Sequence, residues 1–234
     1  MKLYKSKKLL NIDNNAKTIK GQKYKYMTAI LYLAPQRTSG YNVCAMASAG
    51  CMASCLNTAG RGQMNSVQQG RINKTKWYFL ERDSFLNQLR EEIKRHIKRC
   101  KLNSFKPAIR LNGTSDIDWN IHGLYEEFKQ VKFYDYSKIY KRALKYVKKE
   151  YPKNYHLTYS LNEDNKAQAK YILKRGGNIS AVFRTKKLPK RFLNYKVFNG
   201  DNSDLRFNDP KNVIVGLYAK GRALKDNTGF VQDV

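Results

Sequence analysis

Three of the four cysteines stand close together, as Cys44, Cys51 and Cys55 in the stretch "NVCAMASAGCMASCLNTAGRG", residues 42–62. Their spacing is Cys-x6-Cys-x3-Cys, with Gly, Ala, Ser and Met filling most of the gaps. Three thiolates on one short loop suit a soft metal. Structural zinc wants four ligands, commonly as paired Cys-x2-Cys hooks. This loop has no such pair, so His96, His122 or Cys100 would have to arrive from elsewhere. An iron–sulfur cluster also usually takes four cysteines. Three of them leave one iron open, and an open iron can bind a substrate or cofactor. A third reading is a tight loop of small buried thiols, since free cysteine packs as a small hydrophobe. In a reducing cytosol, clustered cysteines point to metal or catalysis more than to disulfides. The spacing therefore leads to a [4Fe–4S] cluster on Cys44, Cys51 and Cys55, with zinc and plain packing as alternatives.

Other residues able to do chemistry lie where strands are expected to end. Asn112, Gly113, Thr114, Ser115 and Asp116 form a polar turn after one strand. They are expected to position a cofactor or substrate, with Asp116 also a catalytic candidate. Asp135 stands inside a strand between Tyr134 and Tyr136. A charge there is costly unless paired, which makes it the second catalytic candidate. Arg61, between Gly60 and Gly62, is suited to a phosphate or carboxylate. Arg184, Lys220 and Arg222 follow later strands and are expected to meet phosphates. His122 and His156 read as surface or core histidines. The carboxylates of "GDNSDLRFNDP" lack EF-hand spacing, which argues against calcium.

What must hold these residues is an alternation of elements. Strands are expected over 24–35, 106–117, 131–138, 154–163, 178–185 and 212–221, on their Tyr, Ile, Leu and Val content and their Gly and Pro boundaries. Between them lie helical patterns. In "SFLNQLREEIKRHIKRC", Phe85, Leu89, Ile93 and Ile97 recur four apart, one apolar stripe with charge around the rest. Strands separated by helices predict a parallel sheet, because parallel neighbours need crossover connections. The expected class is α/β, built as an incomplete parallel (β/α)6-type barrel with the cysteine loop after its first strand. In such folds the site lies at the C-terminal ends of the strands. Residues 1–22 read as a basic N-terminal arm, and 23–234 as a single α/β domain. Residues 188–210 read mostly as loop, and the C-terminal stretch from 222 as irregular.

Lys and Arg total 46 against 18 Asp and Glu, a formal net charge of +28. An ordinary surface mixes both signs, so a polyanionic partner is expected, nucleic acid first. The basic helices around 92–101 and 140–149 would supply a phosphate track, with tyrosines available for stacking. No run approaches the length of a membrane span, and no secretory signal is present, so no membrane partner is expected.

The cysteine loop after the first strand resembles the layout of radical S-adenosylmethionine enzymes. There a partial (β/α)6 barrel carries a Cys-x3-Cys-x2-Cys loop, and the cluster's open iron chelates the amino and carboxylate groups of S-adenosylmethionine. "RLNGTSDI" falls where that superfamily has a Gly-Gly-Glu-Pro-like edge. The resemblance implies S-adenosylmethionine as a second cofactor; taken with the net charge, it leads to an enzyme acting on nucleic acid or a nucleotide. A non-enzymatic nucleic-acid-binding protein with a structural metal is the other reading. A longer resemblance covers nearly the whole chain. "YLAPQRTSGYNVCAMASAGCMASCLNTAGRG", "RLNGTSDI", "FYDYSK", "YHLTYSLNE", "LRFNDPKNVIVGLYAKGRA" and "TGFV" are similar to the tailed-phage family named gene product 88. That resemblance implies a phage-encoded protein working in the cytoplasm of the infected bacterial host.

Overall fold

The computed structural model describes residues 5–12 and 16–234. The apolar, β-branched and aromatic runs form the strands β1 (Leu10–Ile12), β2 (Tyr26–Leu31), β3 (Lys106–Arg110), β4 (Lys132–Ser137) and β5 (Tyr155–Ser160). They continue as β6 (Ile179–Phe183), β7 (Arg191–Phe192), β8 (Tyr195–Asn199), β9 (Ile214–Tyr218) and β10 (Val231–Gln232). Together they make one ten-stranded sheet in the order β1-β2-β3-β4-β5-β6-β9-β8-β7, with β10 also beside β6. The run β2-β3-β4-β5-β6-β9 is parallel throughout and follows chain order, which is what repeated helical crossovers on one face produce.

Those crossovers are α3 (Asn65–Leu80) and α4 (Arg82–Leu102), then α5 (Leu124–Glu127), α6 (Tyr140–Val147) and α7 (Lys166–Lys174). Two short helices precede them, α1 (Ala16–Gly21) and α2 (Ala49–Ala53). The predicted stripe of α4 faces the core: Phe85, Leu89 and Ile93 are fully buried and Ile97 packs beside them. They join Ile109, Phe133, Leu157, Ile179 and Phe183 from one sheet face, with Ala143 of α6 and Ile172 of α7. The opposite face is covered differently. Tyr26, Ala108 and Tyr134 pack against Leu205 and Phe207, from a loop that crosses this side of the sheet.

The α/β class and the parallel order match expectation; a barrel does not. The sheet is open, with antiparallel β1 added outside β2 and the β7–β8 hairpin outside β9. Nor are the described residues of the 1–22 segment a loose arm throughout. Leu9 and Leu10 are buried, and their N–H groups donate to the two oxygens of Glu92 at 2.8 Å each. Lys74 Nζ donates to the Leu9 carbonyl at 2.9 Å. The hairpin in the expected loop turns through Leu193 and Asn194, both at positive φ (49° and 69°). Two left-handed residues are what a tight two-residue hairpin needs, here without the usual Asn-Gly signal.

One irregularity bears on the site. Along a single edge of β6, Ile179 and Ser180 pair with β5, whereas Val182 and Phe183 pair with β10. The C-terminal segment therefore fills a gap where β5 and β6 part, at the end of the strands that the cysteine loop also occupies.

Candidate metal centre

The cysteine loop leaves the C-terminal end of β2 and is seated by one carboxylate. Glu163, just past β5, accepts from the Ser48 hydroxyl at 2.8 Å and from the Gly50 N–H at 2.6 Å. Ser48 in turn caps α2, accepting from the Cys51 N–H at 3.3 Å. Gly50 has no room for a side chain: an added Cβ would meet the Thr228 hydroxyl, with Phe230 Cβ at 2.6 Å. The C-terminal segment thus presses directly on the loop.

Next to the loop lies the predicted polar turn. Cys44 Sγ donates to the Thr114 carbonyl at 3.7 Å, and the Asp116 N–H donates to the Val43 carbonyl at 2.7 Å. Thr114 Oγ1 donates to the Leu33 carbonyl at 2.5 Å. Gly113 is obligatory here, since a Cβ would meet the Tyr32 ring at 2.6 Å and the Leu31 carbonyl at 2.7 Å. The fold therefore brings the three-cysteine loop and residues 112–116 together, as expected from strand ends.

Below this mouth, on the helix side of the sheet, a buried network accounts for both catalytic candidates. Asn112 is its hub. Its Oδ1 accepts from Ser115 Oγ at 2.9 Å, the Ile117 N–H at 3.0 Å and Trp119 Nε1 at 3.1 Å. Its Nδ2 donates to the Ile117 carbonyl and to Asp135 Oδ2. Asp135 is 1% exposed and also accepts from the Asn112 N–H at 3.0 Å. Burial pushes its carboxyl up to about 6, against the pull of Arg142 and the Asn112 bonds. Arg142, which sequence reasoning did not single out, binds Asp116 at 2.6 Å and the Tyr155 hydroxyl at 2.7 Å, with Asp135 at 3.8 Å. Asp116 also accepts from the Lys138 N–H at 2.8 Å. Asp116 and Asp135 are thus held by protein partners.

The thiols are half-buried and unbridged. Burial pushes the Cys44 thiol up to about 12, reinforced by Asp116, Cys55 and Cys51 around it. Cys55 is raised as well, by burial first and by Cys51; the Asn57 backbone and the cations Lys138 and Arg71 oppose this. Among the described residues no group of three His, Cys, Asp or Glu stands at metal-ligand spacing. The donor set fits a soft metal by chemistry, three thiols in one loop, but its spacing is not that of a formed site.

The four expected phosphate contacts lie around one turn, residues 221–225: Lys220 and Arg222 flank Gly221, which abuts Ala59 beside Arg61, and Arg184 bonds the turn's Leu224 carbonyl. Arg184 holds the C-terminal segment, bonding Asp233 at 2.5 Å and the carbonyls of Leu224 and Asp226. Lys220 pairs with Asp201 at 2.7 Å. Arg61 and Arg222 are exposed. His122 bonds the Tyr78 hydroxyl at 2.9 Å, and His156 bonds that of Tyr146 at 2.9 Å. The cations that oppose the rise of the Cys55 thiol are Lys138 and Arg71. Lys138 directly follows β4, so its position carried a signal; Arg71 lies mid-helix and carried none.

The family described as Gene product 88 matches residues 4–234, so the chain belongs to that phage family. No curated protein and no solved structure matches it. Among the described residues no helix is long and apolar enough to cross a membrane.

Proposed function

We propose that this member of the gene product 88 family is an iron–sulfur protein working in the cytoplasm of the infected bacterium. In this reading Cys44, Cys51 and Cys55 hold a [4Fe–4S] cluster, and the protein is a radical S-adenosylmethionine-like enzyme acting on nucleic acid or a nucleotide. The observation that carries it is one of placement. The three-cysteine loop stands at the C-terminal end of the first strand of a parallel run, against the polar turn of the next strand, with Cys44 Sγ 3.7 Å from the Thr114 carbonyl. A cluster held there by Cys44, Cys51 and Cys55 would supply an electron to a cofactor bound beside it. The chain's own part is to hold that arrangement. Glu163 fixes the loop from beyond β5. Asn112 and Asp135 set the turn, and Asp116 ties it to Arg142. Cys44 and Cys55 carry their protons at neutral pH, so metal binding must displace them. The test is to add S-adenosylmethionine to reduced, iron-loaded protein and record the electron-paramagnetic spectrum. A changed signal with release of 5′-deoxyadenosine supports the enzyme. An unchanged signal removes the enzyme and leaves a metal protein.

The net charge of +28 favours a second reading, a nucleic-acid-binding protein whose zinc or iron–sulfur site is structural. Binding to DNA or RNA should then fall steeply with salt, and the log–log slope would count the phosphates neutralised. Affinity that is flat between low and physiological salt would contradict it.

A further inference from the structure

Most buried or half-buried cations of this chain are neutralised inside it. Arg90 faces Glu127, Arg110 faces Asp204, Arg142 faces Asp116, and Arg206 faces Asp209. Arg71 and Lys138 differ. Both stand against the cysteine loop, Arg71 bonding Asn57, two residues past Cys55, and Lys138 lying over Phe230, which abuts Gly50; yet among the described residues neither has a carboxylate at ion-pair distance. The two nearby acids are already engaged: Glu163 by Ser48 and the Gly50 N–H, Asp116 by Arg142 and the Lys138 N–H.

Both cations keep donors in hand. Lys138 Nζ uses one of its three on Ser160 Oγ, at 2.9 Å. Arg71 Nη1 donates to the Asn57 side chain, while its Nε is buried with no hydrogen-bond partner. A buried guanidinium N–H without an acceptor is costly, and an arriving oxygen would remove that cost. Each cation also stands by an aromatic ring: Arg71 lies 5.0 Å over Tyr32 and Lys138 5.3 Å over Phe230. Two uncompensated cations with spare donors, beside rings, suit a small ligand with an anionic head and an apolar or aromatic body.

We infer that Arg71 and Lys138 form a binding site for the oxyanion group, phosphate or carboxylate, of a small ligand seated beside Cys55. This deepens the reading above and rests on the cysteine loop being the working end of the sheet, but its test needs no metal. Metal-free protein is titrated calorimetrically with adenosine 5′-monophosphate in one arm and methionine in the other, which separates a phosphate source from a carboxylate. At least one probe should saturate. Arg71→Met and Lys138→Met should each weaken that probe by about tenfold, the scale of one charge-assisted bond. Exposed Lys174→Met should leave it unchanged. If neither probe saturates on folded protein, or if the two variants weaken binding no more than Lys174→Met, the site is refuted. Should Arg71→Met fail to fold, Lys138→Met decides by the same criterion. Failure here with iron on the loop would leave the cluster standing; anion binding without iron would leave only this site.

Discussion

Two polar regions lie at the same end of the sheet and are built on opposite plans. The network under the turn is paired in charge: Asn112, Asp116, Asp135, Arg142 and Tyr155 bond one another, and Arg142 has Asp116 at 2.6 Å, although its Nε, 3.9 Å from Asp118, makes no hydrogen bond. The region around the loop is open: its thiols form no disulfide, and Arg71 and Lys138 have no acid partner among the described residues. A buried charge with its partners in place stabilises and specifies a shape. A charge left without one is available to something that arrives. On this contrast the first region is scaffold and the proposed chemistry falls to the second, although Asp116 and Asp135 were the catalytic candidates of the sequence.

The sharpest way to break the contrast is to unpair the network under the turn. Arg142→Met should destabilise the protein by about 3–5 kcal/mol, the usual cost of leaving a buried ion pair half-made. The check is denaturant unfolding. A loss within about 0.5 kcal/mol, the range of ordinary surface changes, would mean that the network is not scaffold.

The second prediction uses acidity. In metal-free protein, the Cys44 thiol is held up at about 12, above the ordinary value of 9.0. Its neutral form is the favoured one, so its alkylation rate should keep climbing with pH well past 9. At pH 8 it should lag an ordinary thiol by a hundredfold or more, since the thiolate is the reactive form. Peptide mapping after timed alkylation with iodoacetamide reads this. A rate that levels off near pH 9 would show the loop to be more open than described.

The smallest effect concerns the seam between the regions. Gly113→Ala would drive a methyl group against Tyr32 and the Leu31 carbonyl, and should cost about 1–3 kcal/mol as overpacking. The melting temperature measures it. An unchanged melting temperature would show that the turn can move away from β2.

What the sequence revealed and what it hid follow from the range of the interactions involved. The helix stripe on Phe85, Leu89 and Ile93 is local and periodic, and it marks the face that packs. The pairing of loop and turn follows from strand order, because neighbouring parallel strands end side by side. Arg142 was hidden, since its partners Asp116 and Tyr155 come from other elements and its own helix reads as a basic face. The β7–β8 hairpin was hidden because Leu193 and Asn194 adopt left-handed backbone without a glycine. The last strand was hidden because Val231 and Gln232 pair only through the gap left by β5 and β6. The lysine-rich start concealed an edge strand held by Glu92, 82 residues away along the chain.

The central claim is that the three-cysteine loop carries iron and sulfide. The most direct test is to purify the protein anaerobically, record its absorbance, and measure iron, sulfide and zinc per chain. The account predicts brown protein with about four irons and four sulfides, the cubane content. Cys51→Ala should lose that content, and Cys100→Ala, whose thiol is buried beside His96, should keep it. Colourless protein with stoichiometric zinc, or with no metal at all after anaerobic reconstitution, would contradict the claim.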